Sequence, residues 1–293
     1  MCGGGVKMYN LLIDKLKVVF TIQEDSEMND RYSCVLNFMS DMGSDGHQVW
    51  KLKYATRCAV VLGSGKKLLI QAGISHHRLY VKFEFNPTKL GEKEWADLYS
   101  YMSVLMDFGY HTLYDHGKVN YIEIAADAAE VEFDNIFAYD VKVKNANDTY
   151  RKEGSIYLGG EKSDRSIIVY DKAKEQLDKF GIKLDHPLLR IEARLAHLPL
   201  TLGELQMVPN PFNSFNIGWM SDLQEKKGGP KWNLFKKQCQ TMGVQNALGM
   251  AGGDRKKILE ELSNITSHEL NPGNYWNQLP AALDVLKTPS LIY

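Results

Sequence analysis

Short apolar or alternating runs, punctuated by Gly, Asp, Asn and Pro, dominate the first two thirds of the chain. They predict strands over 16–22, 58–63, 67–73, 78–86, 119–127, 155–160, 166–171 and 188–195. Between the fourth and fifth runs the period lengthens. In "GEKEWADLYSYMSVLMDFG", Trp95, Leu98, Tyr99, Met102, Leu105 and Met106 recur at helical spacing, and Gly109 is a C-terminal stop. A second helix is predicted from about Lys172 to Lys179. Beyond "LPLTLGELQMVPNPFNSF" the texture changes, with helices expected over Asp254–Ile265 and Leu279–Leu286 and loops between them. The pattern is that of an α+β protein: a largely antiparallel β-sheet core with helices packed on one face, and a smaller helical C-terminal part. The expected division is a β-rich core over 8–200 and a helical part over 201–293.

Successive strand residues face opposite ways, so the runs can be sorted by face. In "KFEFN", Lys82, Glu84 and Asn86 oppose Phe83 and Phe85. In "YIEIAAD", Glu123 and Asp127 oppose Ile122 and Ile124. In "LLRIEARL", Arg190, Glu192 and Arg194 oppose Leu189, Ile191, Ala193 and Leu195. In "SIIVYDKAKEQ", Ser166, Ile168, Tyr170 and Lys172 share a face. If these strands share a sheet, one face gathers carboxylates, arginines, Lys172 and Tyr170, and the other packs on helices. Half-exposed antiparallel strands also carry charges on their wet side, which is the plainer explanation of the same pattern.

Composition narrows the classes. With 293 residues, 44% hydrophobic and 24% charged, the chain can bury a sizeable core. Cys2, Cys34, Cys58 and Cys239 form no CxxC pair, which argues against a disulfide framework or a zinc module and fits a reducing cytoplasm. No apolar run is long enough to span a membrane, the first residues lack a signal-like apolar stretch, and Met8 reads as the more natural start. The net charge of −1 is unlike a strongly basic nucleic-acid binder, but its distribution is uneven. Lys226, Lys227, Lys231, Lys236, Lys237, Arg255, Lys256 and Lys257 fall in a segment that contains Asp254 as its one acid and also carries Trp232 and Phe235. Cations interleaved with aromatic rings suit single-stranded nucleic acid, where charges follow phosphates and rings stack on bases. A solvated helical face is the alternative.

"KFEFNPTKL", the helix after it, "YIEIAAD", "YLGGEKSDRSIIVYDKAKEQ" and "LLRIEARL", in that order over roughly 78–200, resemble the replication initiation factor family. That family comprises rolling-circle replication initiators of plasmids and filamentous phages, with related relaxases of integrative elements. Its nucleophile lies in an I-Y-x-K-x-x-E pattern after Y-x-G-x-x-x-S, matched here by Tyr157, Gly159, Ser163, Tyr170, Lys172 and Glu175. The resemblance implies that Tyr170 nicks one DNA strand at an origin, leaving a 5′-phosphotyrosine link and a 3′-hydroxyl primer, and rejoins the strand at termination. It also implies a Mg2+ or Mn2+ site among Glu84, Glu123, Asp127 and Glu192, and partners that include origin DNA, single-stranded or as an extruded hairpin, and a host helicase with the replication machinery. It leaves room for a homodimer. Some relatives carry an arginine two residues before the nucleophile, where this chain has Ile168.

The chemistry explains why such residues would gather. A phenol with a pKa of about 10 must lose its proton before attacking phosphorus. Lys172, Arg190 or Arg194 could supply positive charge, and a hard divalent cation held by carboxylates would polarise the phosphate. Glu123 and Asp127 stand roughly 13 Å apart along an ideal strand, too far for both to bind one ion directly, so one of them should be dispensable. The adjacent His76 and His77 would point to opposite faces of a strand and cannot chelate one ion together. "LGSGKK" and "LGGEKS" lack the GxxxxGK[ST] spacing of a phosphate loop. Two other readings remain at this stage: a noncatalytic origin-binding or regulatory protein in which Tyr170 only packs, and a relaxase with the same chemistry.

Overall fold

The computed structural model describes residues 10–22, 26–45, 47–63, 65–75, 78–105, 109–143, 149–152, 154–160 and 162–287. His76 and His77 lie outside them. In chain order the elements are β1 (Leu11–Ile22), α1 (Ser26–Ser44), β2 (Gln48–Leu52), β3 (Ala55–Leu62), β4 (Lys66–Ser75), β5 (Arg78–Phe85), α2 (Glu92–Leu105), α3 (Tyr110–His116) and β6 (Lys118–Ala129). They continue with β7 (Ile136–Asp140), β8 (Thr149–Lys152), β9 (Ser155–Leu158), β10 (Arg165–Asp171), α4 (Lys172–Phe180), β11 (Leu188–Ala196) and β12 (Phe215–Trp219). The last are α5 (Met220–Glu225), α6 (Pro230–Met242), α7 (Val244–Met250), α8 (Arg255–Ser263) and α9 (Leu279–Leu283). Ten strands form one sheet in the order β2-β3-β4-β5-β1-β6-β11-β10-β9-β8, and β12 pairs with β7 in a second, two-stranded sheet. The fold is α+β, as the strand and helix patterns predict.

Two compact units divide the chain. One contains Ile13–Glu123 and Leu195–Val208. Here β2, β3, β4, β5 and β1 pair antiparallel in succession, with Lys17 opposite Glu84 and Leu69 opposite Glu84 on the other side. The alternation in β5 buries Val81, Phe83 and Phe85 and leaves Lys82 and Glu84 on the opposite face. Helices cover the apolar face. Val35, Met39 and Met42 of α1 are buried, as are Trp95, Leu98, Met102 and Leu105 of α2, with Trp95 packed edge-on against Phe85 at 6.0 Å. At the edge, β2 exposes Trp50 and Leu52.

The other unit contains Ile124–Arg194 and Pro209–Leu279. Its β10, β9 and β8 form an antiparallel meander, and β7 with β12 lies under a helical cluster. Phe137, Tyr139, Leu223, Trp232, Phe235, Cys239, Leu248 and Leu262 form the core of that cluster. The sequence reading names no helix over Pro230–Met242 beyond the solvated helical face weighed for its lysines; the chain is helical there as α6. Trp232, Phe235 and Cys239, at i, i+3 and i+7, make the buried stripe that the interspersed lysines obscure.

Candidate active site

Tyr170 is the last residue but one of β10, and α4 begins two residues later. The transition is sharp because Asp171 caps the helix, its carboxylate accepting from the Lys174 amide at 2.8 Å. Upstream, Gly159 turns the chain from β9 towards β10 at a φ of 105°, where an added Cβ would lie 3.0 Å from the Arg165 carbonyl oxygen. Across the turn from β9 to β10, Tyr157 pairs with Ile168 and Ser155 with Tyr170.

The sequence reading gathers polar residues of β5, β6, β10 and β11 on one face; around Tyr170 the polar contacts come from β10, β11 and β6. The half-buried Tyr170 hydroxyl lies 3.4 Å from Glu192 Oε2 as a donor, and Arg194 Nε donates to Glu192 Oε1 at 2.7 Å. Glu192 is 2% exposed, so its negative charge faces these groups rather than bulk water. Arg190, 6% exposed, donates through Nε and Nη2 to both oxygens of Asp127, at 2.5 and 2.6 Å. That fork-to-fork geometry fixes the guanidinium plane. Lys172 is buried, places Nζ 5.7 Å from the centre of the Tyr170 ring, and pairs with Glu175. Burial pushes the Glu175 carboxyl up, but the hydrogen bonds and charges of Lys172 and Lys179 outweigh it and hold the group below its ordinary value.

Two carboxylates converge: Asp14 and Glu123 each offer an oxygen within 4.8 Å of the other. Tyr121 donates to Glu123 Oε1 at 2.5 Å, and Lys89 lies 3.4 Å from Asp14. An all-oxygen, anionic donor set suits a hard divalent cation such as Mg2+ or Mn2+. Of the four carboxylates named from sequence, Glu123 lies beside Asp14 and Glu192 beside Tyr170. Asp127 is engaged by Arg190. Glu84 instead sits among cations, with Lys15 at 2.9 Å and Lys17 and Arg57 at 3.5 Å.

Asp14 is a residue that sequence reasoning missed. Burial alternates along β1 from Asp14 to Val19, but Ile13 is buried as well as Asp14, so counting back from Leu16 assigns Asp14 to the apolar face. An acid inside the apolar run "LLIDKL" was the available signal. Lys15, Lys17 and Arg57 were missed for a different reason, since each is an ordinary solvent-face lysine or arginine until the strand register brings it to Glu84.

In the segment from Lys226 to Lys257, the rings are committed to the core. Trp232 is 5% exposed and Phe235 1%, so base stacking on them is blocked in this packing, and the Trp232 indole donates to the Lys226 carbonyl. Several cations are also paired. Lys226 meets Glu261 at 3.0 Å, Lys231 meets Asp254 at 2.6 Å, Lys236 donates to the Gln224 and Lys226 carbonyls, and Arg255 lies against the Val141 and Val143 carbonyls. Lys227, Lys237, Lys256 and Lys257 are exposed. No helix among the described residues is long and apolar enough to cross a membrane.

No family model and no curated protein matches the chain. Among solved structures, the chain is similar to a rolling circle replication initiator protein from Geobacillus stearothermophilus, at 12% identity and a TM-score of 0.36, over 81% of this chain and 99% of that one. At that degree of superposition, the reading of the site rests on its own geometry.

Proposed function

We propose that the protein is a rolling-circle replication initiator, a DNA strand transferase that uses Tyr170 as nucleophile. The observation that carries this reading is the Tyr170 hydroxyl directed at Glu192, a buried carboxylate.

In the proposed reaction, the Tyr170 hydroxyl gives its proton to Glu192, and the phenolate oxygen attacks the scissile phosphorus. A bond forms between that oxygen and phosphorus as the bond from phosphorus to the 3′ oxygen breaks. The departing oxygen takes a proton and becomes the 3′-hydroxyl primer. Because the phosphodiester energy is kept in the 5′-phosphotyrosine link, the reverse attack rejoins the strand. Arg194 holds Glu192 in place, while Arg190, fixed by Asp127, sets the charge of the surrounding face. Lys172 confines the tyrosine ring through its contact and its pair with Glu175. A divalent cation held by Asp14 and Glu123 would supply charge to the phosphate. Lys227, Lys237, Lys256 and Lys257 are the proposed phosphate contacts outside the reacting face.

The test is incubation of the full chain with labelled single-stranded origin DNA and Mn2+, followed by a denaturing gel. A covalent adduct that Tyr170→Phe abolishes, with DNA binding retained, is the expected result. An adduct that survives in Tyr170→Phe removes Tyr170 from the role. Its absence from the wild-type chain favours a binding protein of the same fold.

A further inference from the structure

A groove of about 1070 Å3 lies beside α4, between that helix and the segments 131–134 and 183–187. It takes no part in the chemistry proposed above. Ala173 and Leu177 line it from the helix, and Phe180 continues the same stripe at i+3. The stripe has solvent on it: Leu177 is 49% exposed, Phe180 63%, and Ile182, just past the helix, 51%. The opposite wall contributes Val131 and Phe133. Leu177 lines the groove, and Phe180 and Ile182 are exposed just beyond it along the chain; exposed apolar side chains grouped beside a concave surface mark a place where another chain docks.

The lining also has a sign. Glu132, Asp134, Asp171, Asp178 and Asp185 face two lysines, Lys174 and Lys183, so carboxylates outnumber lysines on the lining by three. Within the lining, Lys174 is matched by Asp178 at 2.8 Å, His186 meets Asp185 at 2.6 Å, and Asp171 is occupied as the helix cap. A nucleic-acid backbone would be repelled by such a rim. A polypeptide that puts apolar residues on the stripe and lysines or arginines on the rim meets both features.

We propose that this groove is a docking site for a basic amphipathic helical segment of a protein partner, with the Ala173–Leu177–Phe180 stripe as its apolar contact. Substrate DNA is left to other surfaces. The proposal therefore does not depend on Tyr170 being a nucleophile.

The probe is a fluorescein-labelled model peptide of about 18 residues, built of Leu and Lys at helical spacing, and so roughly 27 Å long. Its control replaces every Lys with Glu. Anisotropy titrations use the full chain, the apolar variant Leu177→Asn with Phe180→Ser, and the rim variant Asp178→Asn with Asp185→Asn. All four positions are exposed, and circular dichroism checks that each variant remains folded. The expected result is binding of the Lys peptide and none of the Glu peptide. The apolar variant should bind about tenfold more weakly, the loss of about 1.4 kcal/mol of contact. The rim variant should bind more weakly at low salt and lose most of its salt dependence. No binding of the Lys peptide, equal binding of both peptides, or unchanged affinity in both variants overturns the proposal. So does displacement of the bound peptide by a single-stranded oligonucleotide, which would make the groove a nucleic-acid site.

Discussion

Glu84 and Glu192 show how one residue type takes different work from its neighbours. Glu84 faces Lys15, Lys17 and Arg57 across β1 and β3. Burial pushes its carboxyl up, but the hydrogen bond from Lys15 and the charges of all three cations outweigh that and hold it below its ordinary value. A group whose folded pKa is depressed contributes stability above its unfolded pKa, near 4.3, and that contribution is lost as pH falls through the lower folded value. Glu84→Gln should therefore lower stability by roughly 1–2 kcal/mol at pH 7, with the gap to the wild type closing below about pH 4. Thermal melts of both proteins across that range check this; a gap that widens in acid contradicts it. For Glu192, the expected loss is chemical. Glu192→Gln keeps the shape but not the charge, so adduct formation should fall by about 10²–10⁴-fold while single-strand binding holds, as read by single-turnover cleavage beside a binding titration.

At the scale of elements, the joint between β10 and α4 is set by its two ends. Asp171 caps the helix start, and Gly181 ends it in the left-handed conformation at a φ of 68°, its amide meeting the carbonyls of Gln176 and Leu177. An added Cβ at Gly181 meets nothing within 4 Å, so any cost of Gly181→Ala comes from the backbone conformation alone. Gly181→Ala and Asp171→Ala should each cost about 1 kcal/mol, measured as shifts in urea midpoint. Equal stability in both variants would mean that tertiary packing, and not the caps, holds this helix. The β10–α4 joint was legible because an apolar run met a charged helical segment at Asp171. The face sorting of β5, β6, β10 and β11 was legible for the same kind of reason, since period-two alternation survives wherever one side is buried. Other elements were not. The helix α1 has only Val35, Met39 and Met42 as a sparse buried stripe, and β7 with β12 reads as loop until the two pair with each other. Asp14 escaped because its strand changes phase beside it, and long-range register, which brings Lys17 to Glu84, is absent from any local window.

At the scale of the whole chain, distant segments are tied by a buried ion pair. Asp140, with 0% exposure, accepts from Arg165 at 2.6 Å, and Arg165 also donates to the Pro211 carbonyl and the Ser214 hydroxyl. Gln245 of α7 bonds both the amide and the carbonyl of Asp140. Arg165→Ala strands the carboxylate and should cost about 3–5 kcal/mol in denaturant unfolding. Adding Asp140→Asn should restore part of it, because the unpaired charge is then gone. A double variant no better than the single one would locate the loss in packing. The surface lysines belong to the same scale. If Lys227, Lys237, Lys256 and Lys257 each meet a phosphate, replacing all four with Gln should reduce the log-log salt slope of single-strand binding by roughly three units. An unchanged slope would make them solvated surface charges.

The free edge at β2 reaches beyond the folded chain into its behaviour in concentrated solution. Among the described residues its outer side pairs with no strand, and Trp50 and Leu52 stand exposed on it, with Tyr54 68% exposed at the adjoining turn. Lys51 and Lys53 interrupt the apolar residues, the usual means by which a chain keeps one edge from adding to another. Colloidal stability should therefore hang on those two charges. Acetylating them, or raising the salt until their repulsion is screened, turns a quiet border into a seed for sheet growth, with turbidity as its first sign.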